Sequence, residues 1–227
     1  MVKNDLKTDV QQIPVMESFY TIQGEGFHQG RAAYFIRLGG CDVGCSWCDV
    51  KESWETKLHP LYTVKEIVKS AEEAHVPPSS AQDAAVSGNP STYKERIAVV
   101  TGGEPLMHDC EELTAALQDA GFFTHLETSG AYPISGSWDW ICLSPKKFKA
   151  PLEEMIKLAD ELKVVIFHPS DFKWAEKYAT LVSRDCRLFL QPEWGKSAQV
   201  TPLIIDYIKG HPQWSFSLQL HKYIHVS

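Results

Sequence analysis

Three cysteines, Cys41, Cys45 and Cys48, stand in the spacing Cys-x3-Cys-x2-Cys directly after a Gly39-Gly40 pair. Thiolates this close in sequence can wrap one side of a compact metal centre, and soft sulfur ligands favour zinc, copper(I) or iron–sulfur clusters. Structural zinc takes four ligands as a rule, and His59 or Asp49 could supply the fourth. Cubane clusters are usually held by four cysteines. With three, one iron stays open to some other ligand. A second segment, Thr101-Gly102-Gly103-Glu104-Pro105, follows the apolar run IAVV. Its glycines permit close backbone approach to a ligand, and its carboxylate can accept from an ammonium group. The same residues also suit a plain strand-to-helix turn. Cys110, Cys142 and Cys186 are far apart in the chain and read as buried small hydrophobes.

These residues need elements to hold them. Apolar runs at 15–20, 33–38, 97–100, 122–127, 140–143, 163–167 and 187–190 predict strands, and 3.6-residue patterns at 63–75, 111–120, 152–159, 171–180 and 200–209 predict helices. Thr63 and Glu66 have the spacing of a capping box, and Gly121 marks a helix stop. Trp214, Phe216, Leu218 and Leu220 alternate, which predicts a closing half-exposed strand with Gln219 and His221 on its other face. Residues near 77–96, rich in Pro, Ser, Ala and Gly, predict a flexible insertion. Strands alternating with helices imply right-handed crossovers and a mostly parallel sheet. The 227 residues fall short of the roughly 250 of a full eight-fold barrel. One domain over 1–227 is expected, of α/β class: a modified partial (incomplete) TIM barrel of about six mostly parallel strands with few helices. The tails GGCDVGCSWCD, TGGEP, ETSG, SPKK, HPSD, QPE and QLHK would then open onto one mouth, where such sheets place their working residues.

Composition narrows the class further. The chain is 44% hydrophobic with a formal net charge of −7 and its charges mixed along the sequence. That is no phosphate-backbone footprint, so a nucleic-acid partner is not expected. No apolar run approaches the roughly 20 residues of a membrane span, and the polar start MVKNDLKTDVQQIP shows no secretory signal. The expected location is the cytoplasm, where six cysteines do not form a disulfide framework.

Taken together, the cysteine spacing, Trp47 before the last cysteine and the downstream GGEP resemble the radical S-adenosylmethionine (SAM) superfamily. There SAM chelates the open iron of a 4Fe-4S cluster, here implied on Cys41, Cys45 and Cys48, and cleavage of SAM yields a 5′-deoxyadenosyl radical. The segment SFYTIQGEGFHQGRAAYFIRLGGCDVGCSWCD, then TGGEP, ETSG (usually ETNG), SPK, QP and a closing HK, is similar to the 7-carboxy-7-deazaguanine synthase (QueE) family over about 15–221. The resemblance implies a lyase of queuosine and 7-deazapurine biosynthesis, in the pathway of a tRNA modification. It contracts the ring of 6-carboxy-5,6,7,8-tetrahydropterin to 7-carboxy-7-deazaguanine, releasing ammonia, with SAM regenerated. It also implies a homodimer, a small-molecule pterin substrate, Mg2+ at the substrate and an electron donor such as a flavodoxin.

Carried over by position, the resemblance assigns Ile22, Gln23, Gly24, Glu25, Arg37, Thr101 and His221 to the substrate. Arg37 has the fork geometry to clamp a carboxylate. It assigns Trp47, Asp49, Gly103, Glu104, Thr128, Ser144, Lys146 and Gln191 to SAM. Where the family often has a Thr whose hydroxyl ligates Mg2+, this chain has Val50, which offers no side-chain oxygen. Two other readings share part of the pattern. A glycyl-radical-enzyme activating protein shares the cysteine and GGEP motifs but has no need of TIQGEG or the closing HK. A non-catalytic zinc-binding module would need the cysteines alone.

Overall fold

The computed structural model describes residues 10–74 and 96–226. The insertion expected near 77–96 lies outside the described residues except for Arg96. Nine strands form one sheet: β1 Gln12–Ile22, β2 Ala32–Leu38, β3 Leu61–Thr63, β4 Arg96–Gly102, β5 Phe122–Thr128, β6 Trp140–Leu143, β7 Glu161–Ile166, β8 Arg187–Pro192 and β9 Trp214–Phe216. Their order is β3-β1-β2-β4-β5-β6-β7-β8-β9, and the two ends do not pair, so the sheet is open. From β2 through β9 every pairing is parallel, whereas β1 runs antiparallel to both β2 and β3. The expected count of about six strands is therefore too low. Three-residue β3 is too short to show a period, whereas β9 is the first part of the closing strand that the alternation of Trp214 and Phe216 predicts.

Helices α1 Val64–Ala74, α2 Glu111–Asp119, α3 Glu153–Leu158, α4 Asp171–Ala179 and α5 Ser197–Gly210 follow the strands. The capping box forms at the start of α1. Thr63 N donates to Glu66 Oε2 at 2.8 Å, and Glu66 N donates to Thr63 Oγ1 at 3.3 Å, which satisfies two orphan donors of the first turn. Alternation along each strand sorts the side chains into two faces. On one face, Tyr34, Ile36, Leu38, Ala98 and Val100 meet Ile67, Leu113 and Leu117 of α1 and α2. Further along, Leu162, Val164, Ile166 and Leu190 meet Ile156, Ala175 and Ile204 of α3, α4 and α5. Truncating any of these fully buried leucines to Ala removes about 2–5 kcal/mol.

The other face is apolar only at one end, where Ala33, Phe35, Ile97 and Val99 pack with Phe19 and Phe123. Elsewhere it carries the polar residues described below. The C-terminus also departs from expectation. The chain leaves the sheet after Phe216, and Leu220–Ile224 forms a short helix, α6. Leu220 N donates to Gly24 O at 2.9 Å, which pulls the chain across to the tail of β1 and ends the strand. Gln219 and His221 are thus not one pleat apart on a strand. Among the described residues no helix is long and apolar enough to cross a membrane.

Candidate functional site

Parallel strands deliver inward side chains to one mouth: Arg37, Thr101, Glu127 and Gln191 from near the C-terminal ends of β2, β4, β5 and β8, Lys163 from the middle of β7, and Ser144 just past β6. Register fixes their order around the mouth, since Arg37 pairs with Thr101 and Val165 with Gln191. The cavity they enclose measures about 500 Å³, within the range of small-molecule sites. All eighteen residues assigned from the sequence line it: the three cysteines, Ile22, Gln23, Gly24, Glu25, Arg37, Trp47, Asp49, Thr101, Gly103, Glu104, Thr128, Ser144, Lys146, Gln191 and His221.

The cysteine loop and the GGEP turn are clipped together by backbone. Gly103 N donates to Leu38 O at 2.9 Å and Glu104 N to Gly40 O at 2.8 Å. A Cβ on Gly103 would lie 2.1 Å from Gly40 O, and one on Gly102, whose φ is +120°, 2.4 Å from Leu38 N and O. Only glycines allow this approach. Cys45 is buried and Cys41 and Cys48 half-buried, all as free thiols. Burial, joined by the neighbouring thiols, pushes Cys45 up to about 11 even with Lys146 nearby, so a metal must displace the proton. Three soft thiolates on one loop could hold a metal centre or an iron–sulfur cluster, and three cysteines would leave one iron of a cubane open to another ligand.

Glu104 has a different part from the one its motif suggests. It is 1% exposed. Oε1 accepts from Thr128 Oγ1 at 2.6 Å and Leu106 N at 3.2 Å, while Oε2 accepts from Ser129 N at 2.8 Å and from the Ser129 hydroxyl. Four donors saturate the carboxylate. It locks the ETSG tail onto the GGEP turn, leaving the glycine backbone as that turn's exposed polar surface. Beyond it, Ser144 Oγ accepts from Lys146 Nζ at 2.6 Å, and Lys146 lies 5.2 Å from the Trp47 ring centre. Gln191 Oε1 accepts from Ser217 Oγ at 2.7 Å. These groups make a polar wall beside the cysteines that fits the amino, carboxylate and ribose groups of SAM.

At the opposite wall stands a network that the sequence did not announce. Lys163 is 2% exposed. Its Nζ donates to Glu25 Oε2 at 2.6 Å and Glu127 Oε2 at 2.8 Å. Gln219 Nε2 donates to Glu25 Oε1 at 3.0 Å, and Gln23 Nε2 donates to Glu127 Oε1 at 3.0 Å. Burial works to raise the Glu25 pKa, but the Lys163 charge and these hydrogen bonds outweigh it and hold Glu25 at about 2. Lys163 itself is pushed well above its usual value: burial opposes the charge, and the surrounding acidic groups more than compensate. His221 packs on Gly24, where an added Cβ would lie 2.2 Å from its Nδ1. Burial lowers its pKa, with Glu25 pulling the other way. Arg37 Nε is a buried donor with no hydrogen-bond partner, 3.4 Å from Glu17 Oε1. A guanidinium at a cavity wall, paired only at 3.4 Å with Glu17 and with its Nε making no hydrogen bond, suits a carboxylate ligand.

Position 50 fits a metal poorly. Val50 has no oxygen to offer, and its neighbour Asp49 accepts from Lys222 Nζ at 2.7 Å. Protein-held Mg2+ is not supported there. Lys163, Glu127, Ser129, Glu193 and Trp194 also line the cavity and were missed. The one available signal for Lys163 was a cation in the apolar run ELKVVI, at an inward-facing step of the alternation.

A parallel-sheet α/β chain with a three-thiol loop and a GGEP turn on one cavity has the make-up of a radical SAM enzyme. No family model matches the chain. It is 49% identical to the 7-carboxy-7-deazaguanine synthase of Flavobacterium psychrophilum, over 95% of this chain and 93% of that one. It is 47% identical to the synthase of Synechocystis sp. over 94% and 93%, and 33% identical to that of Escherichia coli K12 over 95% and 100%. The crystal structure of QueE from Escherichia coli superimposes with a TM-score of 0.74 at 28% identity, covering 92% of this chain and 95% of that one. The chain belongs to the 7-carboxy-7-deazaguanine synthase family.

Proposed function

We propose that this chain contracts 6-carboxy-5,6,7,8-tetrahydropterin to 7-carboxy-7-deazaguanine with release of ammonia, as the family name and the site together imply. The observation that carries the reading is the one cavity that joins the three-thiol loop to Arg37 and the Glu25–Lys163–Glu127 network. The convergence of so many strand tails on it supports the incomplete-barrel reading of the sheet. Membership of the family sets aside both the glycyl-radical activator and the zinc module.

In this reading Cys41, Cys45 and Cys48 hold a 4Fe-4S cluster, and bound SAM supplies the hydrogen-abstracting radical. The remaining steps belong to the chain. Arg37 pairs with the substrate carboxylate and fixes which ring face meets SAM. Glu25, ionised and aligned by Lys163 and Gln219, accepts from the pterin N–H groups, and Gln23 and the Ile22–Gly24 backbone frame the same edge. Thr101 lines the same cavity and would touch the substrate. His221, kept neutral at pH 7 by burial, can exchange a proton with the ring substituents. Gly103, Thr128, Ser144, Lys146, Gln191, Trp47 and Asp49 would seat SAM. A homodimer, a cytoplasmic location and a flavodoxin-like electron donor complete the reading.

The test is anaerobic incubation of the iron-loaded protein with this pterin, SAM and a reductant, followed by mass analysis. Product establishes the reading. A brown protein that cleaves SAM yet yields no product retains the radical chemistry and rejects the substrate.

A further inference from the structure

At the cavity floor the inward face of β5 and β6 gathers His125 and Cys142, which none of the above uses, beside Glu127, whose oxygens accept from Lys163 and Gln23. His125 and Glu127 are two residues apart on β5 and share its inward face, and Glu127 pairs directly with Cys142 of β6. The sheet itself therefore brings an imidazole, a carboxylate and a thiol together. One ligand atom from each lies within 4.8 Å of the others. His125 and Cys142 are each 1% exposed.

The imidazole meets the His28 ring edge-on at 5.4 Å but has no hydrogen-bond partner. Both His125 nitrogens are buried without a hydrogen bond, and the adjoining His28 Nε2 and Glu161 Oε1 are orphaned too. Four of the five such atoms among the described residues thus fall in one small region. Buried polar groups are rarely left this way, and an ion is one of the few things that satisfies them. Burial keeps His125 neutral, with His28 and Lys163 adding to the effect, and neutral imidazole is the ligating form.

We propose that His125, Glu127 and Cys142 form a second metal site, for zinc or a similar borderline divalent ion, separate from the cysteine loop. Nitrogen, oxygen and sulfur donors are the zinc set. Bonds of about 2.0–2.3 Å need donors about 3.3–3.8 Å apart, so atoms within 4.8 Å of one another would have to draw in by about 1 Å. Binding releases the Cys142 proton to solvent as the Sγ–metal bond forms. Glu25, Glu127 and Glu161 surround Lys163, with Lys146 also near, and a divalent ion less one thiol proton adds one positive charge there. Glu127 lines the cavity, which gives the ion its way in.

The experiment uses the iron-loaded full chain, incubated anaerobically with equimolar zinc chloride and desalted, with zinc and iron counted per chain and zinc-edge anomalous density collected from crystals. About one zinc per chain is expected, with the anomalous peak between His125 and Cys142. Cys142→Ser and His125→Ala should each lose at least about tenfold of the retained zinc with iron unchanged. No retained zinc in the folded wild type overturns the site, as does equal zinc in both variants. If His125→Ala fails to fold, the wild-type count and Cys142→Ala, a mild change at a buried thiol, decide it alone.

Discussion

Removing the ammonium of Lys163 tests the reasoning about the cavity wall most sharply. In Lys163→Met, Glu25 and Glu127 lose a partner held at 2.6 and 2.8 Å, while side-chain exposures of 16% and 18% give them little water in return. Lowering Glu25 from 4.5 to about 2 corresponds to about 3 kcal/mol at neutral pH. Removing one partner of a buried pair costs about 3–5 kcal/mol. For a chain of this size that is roughly 6–20 °C in Tm. The sign with pH follows from the same shift. In the wild type, the depressed pKa gives stability that is fully present above 4.5 and is lost as pH falls toward about 2. In the variant, burial is opposed only by the Gln219 hydrogen bond and by His221, so the Glu25 pKa should rise above the unfolded value and stability should increase as pH falls from 8 to 5. Urea unfolding of both proteins, followed by circular dichroism across that range, measures the difference. A variant within about 1 kcal/mol of wild type at pH 7, or a loss that does not shrink on acidification, would refute the reasoning.

Other outcomes follow from the same geometry. Glu104→Gln places an NH2 against the donors of Ser129 or Thr128 and should destabilise the fold by about 1–3 kcal/mol, with SAM affinity falling as the ETSG tail loosens; an unchanged Tm and SAM affinity would argue against the saturated carboxylate. Arg37→Lys keeps the charge but loses the fork, so KM for the pterin should rise by about tenfold or more while iron content and SAM binding stay put; an unaltered KM removes Arg37 from the substrate. Val50→Thr restores a side-chain oxygen, so its turnover should be stimulated by Mg2+ more than the wild type's, and equal responses would show that position 50 does not govern the metal. The exposed side of the Asp49–Lys222 pair limits what it can contribute to stability, so Lys222→Ala should shift unfolding by less than about 1 kcal/mol; a larger loss would mean that α6 is held chiefly by that pair.

Much of this arrangement was legible in the sequence because it rests on local rules. Apolar runs predicted most strands, the 3.6-residue period predicted the helices, and strand tails predicted the mouth. The capping box of Thr63 and Glu66 formed as its spacing indicates. What was not legible depends on long-range closure. Glu25 and Lys163 are 138 residues apart, and no local pattern shows that the turn of one meets the strand of the other. Leu218 and Leu220 alternate as a strand does, yet the bond from Leu220 to Gly24 turns the chain into α6. Glu104 had a motif role ready, and only the tertiary structure shows its oxygens already taken by Thr128, Ser129 and Leu106. His125 looked like an ordinary strand residue until both its nitrogens proved to be buried without partners.

The central claim is a radical ring contraction in which SAM is regenerated, and the ratio of product formed to SAM consumed tests it most directly. Anaerobic turnover of 6-carboxy-5,6,7,8-tetrahydropterin by the iron-loaded chain, quantified by mass spectrometry, should give 7-carboxy-7-deazaguanine in large excess over SAM lost. Absence of that product, or one SAM consumed for each product molecule, would contradict the account.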